Sequence, residues 1–237
     1  MRAATILSLA ALASAVPTTT KHQPPSSKSK GFTLVAKVSN PNHDLSPSVN
    51  NRVIIAAHTG AGFNVAVLYP AGSNGSIFYQ NGTAAEVAAG TTTLINDEAT
   101  PLTPFGLSIQ SPVQFDTTYP TEHAIFINAG RGTRVTLVNG NRGYPIVHNG
   151  LDTSTAKGQG RGTFAACDNT VPYYQKKFVT LMYVYGGEKV PEGCAPVVLV
   201  PQCAVLAALP EGSYASHEFA NEVGCFGDVA REVVVVV

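Results

Sequence analysis

"HTGAGFNVAVLYPAG" spans residues 58–72, and "NAGRGTRVTLVNGNRG" spans residues 128–143. Each stretch sets two glycines around one residue, with alternating apolar positions after them. Gly60 and Gly62 fall in step with Gly130 and Gly132, and Val65, Val67 and Leu68 with Val135, Leu137 and Val138, at a constant offset. A phosphate cradle needs its glycine loop to open a helix, whose free amides and dipole hold the anion. The residues after each glycine pair alternate as strands do. Each pair is therefore read as a hairpin turn or bulge needing positive φ, with "GQGRG" at 158–162 a further loop.

The flanking sequence extends the same pattern. Short runs rich in β-branched and aromatic residues recur at 32–38, 52–58, 65–69 and 76–80, then at 105–110, 123–128, 134–138 and 144–148, then at 162–167, 178–185, 195–200 and 218–226. Asn, Gly and Pro separate them. Residues 201–209, "PQCAVLAAL", are the best helical candidate, because Pro201 suits a first turn. The terminal "REVVVVV" reads as a last strand paired within the sheet. Three groups of four strands, two of them sharing the glycine pattern, predict an all-β single domain of about 12 short antiparallel strands in a β-trefoil-like closed sheet. A β-sandwich is the alternative.

The N-terminus sets the compartment. "MRAATILSLAALASAVP" has one basic residue, a short apolar run and small residues at Ala13 and Ala15, the pattern of a secretory signal peptide over residues 1–15. Residues 16–30 are a Ser/Thr/Pro-rich leader without large apolar side chains, and 31–237 form the domain. No run is long enough to span a bilayer. Fifteen basic and fifteen acidic residues cancel, and charged residues are only 13% of the chain, so no basic field exists to attract nucleic acid. Asn74-Gly75-Ser76 and Asn81-Gly82-Thr83 are N-glycosylation sequons.

The series "GFTLVAKV", "DLSPSVNNRVIIAAHTGAG", "AVLY", "FYQNGT", "GTFAACD", "VPEGCAPVVLVPQCA" and "HEFANEVGCF" covers nearly all of residues 31–226. It resembles a family of small secreted ascomycete fungal proteins with no assigned activity. The resemblance implies secretion and a fungal source, and it carries no catalytic role.

The four cysteines form an even set in a secreted chain, so disulfides are expected. Cys194–Cys203 and Cys167–Cys225 are the favoured pairs, the first closing a local loop and the second joining distant strands of the last third. No catalytic set is expected. His22, His43, His58, His123, His148 and His217 show no metal-ligand spacing, and no G-x-S-x-G elbow is present. Asp116, Glu122, Asp152 and Asp168 stand singly rather than as an acid pair. His217 and Glu218 would face opposite ways on a strand.

No cofactor or metal is therefore expected. The function read from these features is a secreted non-catalytic binding module for a cell-wall glycan or a host surface protein. Its ligand would sit in the turns His58–Asn64 and Asn128–Thr133. The alternatives are a secreted hydrolase whose site assembles from distant strands, and a purely structural wall protein.

Overall fold

The structure is a computed structural model and describes residues 24–110, 123–140, 143–151 and 162–233. From the N-terminus come Ser27–Ser29 (β1), Gly31–Val38 (β2), Val53–Gly60 (β3), Phe63–Tyr69 (β4), Phe78–Asn81 (β5) and a short helix, Ala84–Ala89 (α1). Next are Thr93–Glu98 (β6), Thr103–Ile109 (β7), His123–Ala129 (β8), Val135–Asn139 (β9) and Pro145–Asn149 (β10). Thr163–Val171 (β11), Lys176–Val184 (β12), Cys194–Ala204 (β13), Ala220–Asn221 (β14), Val223–Cys225 (β15) and the helix Val229–Glu232 (α2) complete the order.

Eleven strands join one antiparallel sheet in the order β11-β13-β2-β3-β4-β12-β8-β7-β6-β5-β14. Extra pairings β11–β12 and β2–β5 connect members far apart in that order, and β4–β8 joins the two neighbours of β12, so the sheet bends back on itself. The strand β2 shows why. Its N-terminal residues Gly31 and Phe32 pair with β5, whereas Val35 pairs with Val53 of β3, so one strand serves two neighbours on the same edge. Alternation then sends Phe32, Leu34, Ala36 and Val38 into the main core, beside Ile54, Ala66, Leu107, Ile125, Ile127 and Leu199. Val35 points the other way, into a smaller cluster with Val200, Phe226, Val229 and Val233. Burial on both faces accounts for the continuous apolar run in "FTLVAKV", which a sheet solvated on one side would not need.

The all-β, single-domain expectation holds, and several of its details are corrected. The repeat behind the threefold reading is not a repeat of hydrogen bonding. Gly60 and Gly62 close the β3–β4 hairpin with a register shift between His58 and Gly60, whereas Gly130 and Gly132 carry the chain from β8 to β9, which pairs with β10 alone. Residues 201–204 are strand, not helix: β13 continues past Pro201, whose carbonyl accepts from the Phe226 amide at 3.1 Å. Ser27–Ser29, within the segment 16–30 read as the leader, pairs with Val223–Cys225; residues 16–23 of that segment, and the signal segment 1–15, lie outside the described residues. The C-terminal strand is replaced at its start by α2, where Asp228 caps the Ala230 and Arg231 amides at 3.0 and 3.3 Å and Val233 is buried. Residues 234–237 lie outside the described residues.

The cysteine pairing is corrected as well. The bridges are Cys167–Cys194 and Cys203–Cys225. Cys194 and Cys203 sit at opposite ends of the extended strand β13, roughly 30 Å apart at about 3.3 Å per residue, far beyond the reach of a disulfide. Cys167 instead faces Cys194 directly across the β11–β13 ladder, with Cα atoms 4.5 Å apart. Cys203 meets Cys225 because the Cys203 amide donates to the Phe226 carbonyl at 2.8 Å, which brings β15 alongside β13.

Candidate functional site

The two glycine turns read from the sequence meet in space. The Ala129 amide donates to the Gly62 carbonyl at 2.9 Å, and the Asn64 amide donates to Asn128 Oδ1 at 3.1 Å. Gly62 has φ 75° and Gly132 φ 71°, the left-handed region where a side chain is strained. Gly132 also lies so close against β7 that a Cβ on Gly106 would collide with the Gly132 nitrogen. The crossover Asn128–Thr133 is thereby clamped to the sheet, and the β3–β4 tip is fastened to it.

This end of the molecule exposes aromatic surface. Phe63, at the hairpin tip, is 58% exposed, and Tyr173, in the β11–β12 turn, is 57% exposed. The His58 ring meets the Tyr173 ring edge-on at 5.7 Å between centroids. Tyr173 continues into an aromatic series through Tyr174 and Phe178, at 5.1 and 5.2 Å. Tyr174 and Phe178 pack on Val65, Val67 and Val171, so the exposed ring rests on a rigid base. Glu98 is also close enough to feel His58; burial pushes its carboxyl above the usual range, and His58 opposes that shift.

A second cluster is not legible in the sequence. The Asp97 carboxylate accepts from Tyr79 Oη at 3.1 Å and is 2.6 Å from His217 Nε2. Burial, and the Asp97 charge beside it, hold the Tyr79 hydroxyl well above its usual range, so it remains a donor. Together these contacts fasten the strap 205–219 onto β5 and β6; the Tyr214 and Ala215 amides add bonds to the Leu102 carbonyl at 2.8 and 3.1 Å. His217 therefore pairs with a carboxylate 120 positions away and not with Glu218.

The remaining candidates are dispersed. His123 lies 3.4 Å from Glu188 and against the Tyr185 ring. His43 ends an exposed 3-10 turn, His148 lies on β10, and Asp168 is exposed on β11. His22, Asp116, Glu122 and Asp152 lie outside the described residues. No three His, Cys, Asp or Glu side chains converge as a metal site would require, among the described residues. No helix among them is long and apolar enough to cross a membrane. Of the sequon asparagines, Asn74 is exposed on the β4–β5 connection. Asn81 is half-buried, flanked by Thr93 and Ala220 in the sheet.

Residues 29–203 match the family described as a domain of unknown function, DUF7907. The chain is 38% identical over 216 residues to "Antigenic protein SchS34" of Stachybotrys chartarum, covering 87% of this chain and 90% of that protein. No solved structure matches. The family match includes β2 through most of β13, hence both glycine turns and Tyr173, and this chain belongs to the DUF7907 family.

Proposed function

We propose that the protein is a secreted, non-catalytic binding module whose ligand is a neutral cell-wall glycan stacked on Phe63 and Tyr173. The observation that carries this reading is the pair of exposed aromatic rings, Phe63 on a hairpin tip bonded to the 128–133 crossover and Tyr173 set edge-on against His58 of the same hairpin. Aromatic faces bind the apolar faces of sugar rings, and a rigid base reduces the ordering cost of binding. A formal net charge of zero suits an uncharged ligand. Two disulfides fit an oxidising, extracellular compartment.

The test is retention on a glycan array and on isolated cell walls, run beside a broad hydrolase substrate panel. Saturable retention without turnover is expected, with Tyr173→Ala or Phe63→Ala weakening it by about tenfold, the loss of one interfacial aromatic. Retention that both variants leave unchanged would contradict the reading. The Asp97–His217 contact favours a second reading, a hydrolase in which Asp97 orients His217 as general base. No hydroxyl or thiol of the described residues hydrogen-bonds His217, so water would be the attacking group. Turnover abolished by His217→Ala would favour this alternative.

Secretion would expose both sequons to N-glycosylation, and exposure in the fold selects Asn74 as the site. Endoglycosidase treatment of native material should remove one N-glycan, and Asn74→Gln should abolish the mass shift while Asn81→Gln preserves it. A glycan carried by Asn81 alone would contradict the assignment.

A further inference from the structure

A cleft of about 290 Å³ opens on the far side of β2 from the main core, between the segment 41–51 and α2. Lys37 lies in it, on the same face of β2 as Val35, and is 5% exposed. Burying a lysine without a counter-ion is costly, so its neighbours decide what the site can hold. Lys37 Nζ donates to Asn51 Oδ1 at 2.8 Å and makes no ion pair among the described residues.

The acceptors around the cleft are already engaged. Asp44 Oδ1 accepts from the Leu45 and Val49 amides at 2.8 and 3.0 Å, and Oδ2 accepts from Ser48 Oγ at 2.5 Å. Ser48 Oγ also accepts from the Asn50 amide at 3.1 Å. Asn50 Oδ1 accepts from the Val38 amide at 3.2 Å, and Asn51 Oδ1 accepts from Lys37. Because both partners are donors, the amide orientations are fixed: the Asn50 and Asn51 NH2 groups are the ends left over. An ammonium binds up to three acceptors, so Lys37 also keeps unused N–H groups. The cleft therefore offers donors and one positive charge, and few free acceptors.

We propose that this cleft binds a small carboxylate, held by the Lys37 ammonium and the side-chain amides of Asn50 and Asn51. A monoanion suits it better than phosphate or sulfate, because the Asp44 carboxylate lines the cleft and Asp228 acts on Lys37 from nearby, and these two negative charges repel a dianion about twice as strongly as a monoanion. Burial pushes the Lys37 ammonium below its usual range, with Asp228 opposing the shift, so an arriving carboxylate would offset the hydration that burial removes. The carboxylate could belong to a free acid or be carried on a sugar, and the two differ in how much of the cleft they fill. The site is separate from the aromatic surface at Phe63 and Tyr173.

The test is an NMR titration of the full chain with acetate, glucuronate and inorganic sulfate, monitoring the Lys37 Nζ and the Asn50 and Asn51 side-chain amides. Acetate or glucuronate should shift these signals saturably, with Kd of about 1–10 mM. Tighter binding of glucuronate indicates a sugar acid, and tighter binding of acetate a free acid. Lys37→Met should weaken the interaction by about 10–100-fold, the range for losing a hydrogen bond to a charged group. No saturable shift, sulfate binding tighter than both carboxylates, or shifts scattered away from the cleft would overturn the proposal. The wild-type shift map decides even if Lys37→Met fails to fold.

Discussion

Replacing Gly106 by alanine is expected to destabilise the fold by about 3 kcal/mol or more, the upper range for overpacking in a closed interior. The added Cβ would collide with the Gly132 nitrogen and the Arg131 carbonyl carbon. Both obstacles are backbone, so no rotamer change relieves the clash. β7 is held between β6 and β8, with Gly106 opposite Ile95 and Asn128, so the strand cannot move aside without breaking two ladders. The 130–133 segment must yield instead, at the cost of the Gly130 amide bond to the Pro104 carbonyl at 2.8 Å and the Thr133 amide bond to the Leu107 carbonyl at 3.2 Å. Gly72→Ala is the control: its φ of 82° is unfavourable for alanine, but no atom lies within 4 Å of the added Cβ. That variant should lose only about 1 kcal/mol. Urea denaturation of the two variants measures the difference, and equal losses would contradict the close-contact account.

The second large effect concerns Cys203–Cys225. Replacing both residues by serine should cost about 3 kcal/mol, since the bridge closes a loop across 22 positions of the unfolded chain. Cys167–Cys194 spans 27 positions, so chain entropy alone predicts a similar loss for its removal. The local consequences differ. β11 and β13 remain paired at Phe164, Ala165 and Ala166 without their bridge, whereas β15 otherwise rests on β1, a parallel bridge between Gln202 and Phe226, and the contacts of Phe226. Loss of Cys203–Cys225 should therefore raise amide exchange across 223–233 and loosen the cluster of Val35, Val200, Phe226, Val229 and Val233. Equal exchange in that segment in both double variants would contradict this division. Non-reducing peptide mapping should recover Cys167 with Cys194 and Cys203 with Cys225.

How far the sequence reaches depends on the range of the determining interaction. Strands whose β-branched residues occupy both buried faces, such as Gly31–Val38 and Lys176–Val184, are legible because burial acts on each residue locally. The helix Ala84–Ala89 is also written locally, although strand patterning hides it: Thr83 and Glu86 form a capping box, and Gly90 ends the helix at φ 63°. "PQCAVLAAL" misleads because a proline suited to a helix start is equally at home where the partner bond uses its carbonyl. The disulfide pairing is invisible because it depends on register between β11 and β13 and on the return of β15. The two candidate turns are identifiable individually, but their contact through Gly62 and Ala129 depends on β4 pairing with β8 at Val65 and Phe126. Tyr173 and Asp97–His217 are products of such long-range pairing too, and no local motif marks them.

The binding account is tested most directly by hydrogen–deuterium exchange on the full chain with and without a saturating cell-wall glycan identified by array. Amides of the β3–β4 turn, the 128–133 crossover and the β11–β12 turn share the aromatic end of the molecule, so protection should concentrate in those three segments. Tyr173→Ala should abolish that protection while leaving exchange of the core strands unchanged. Protection confined to other surfaces, or retained in full by Tyr173→Ala, would contradict the assignment of this end as the binding surface.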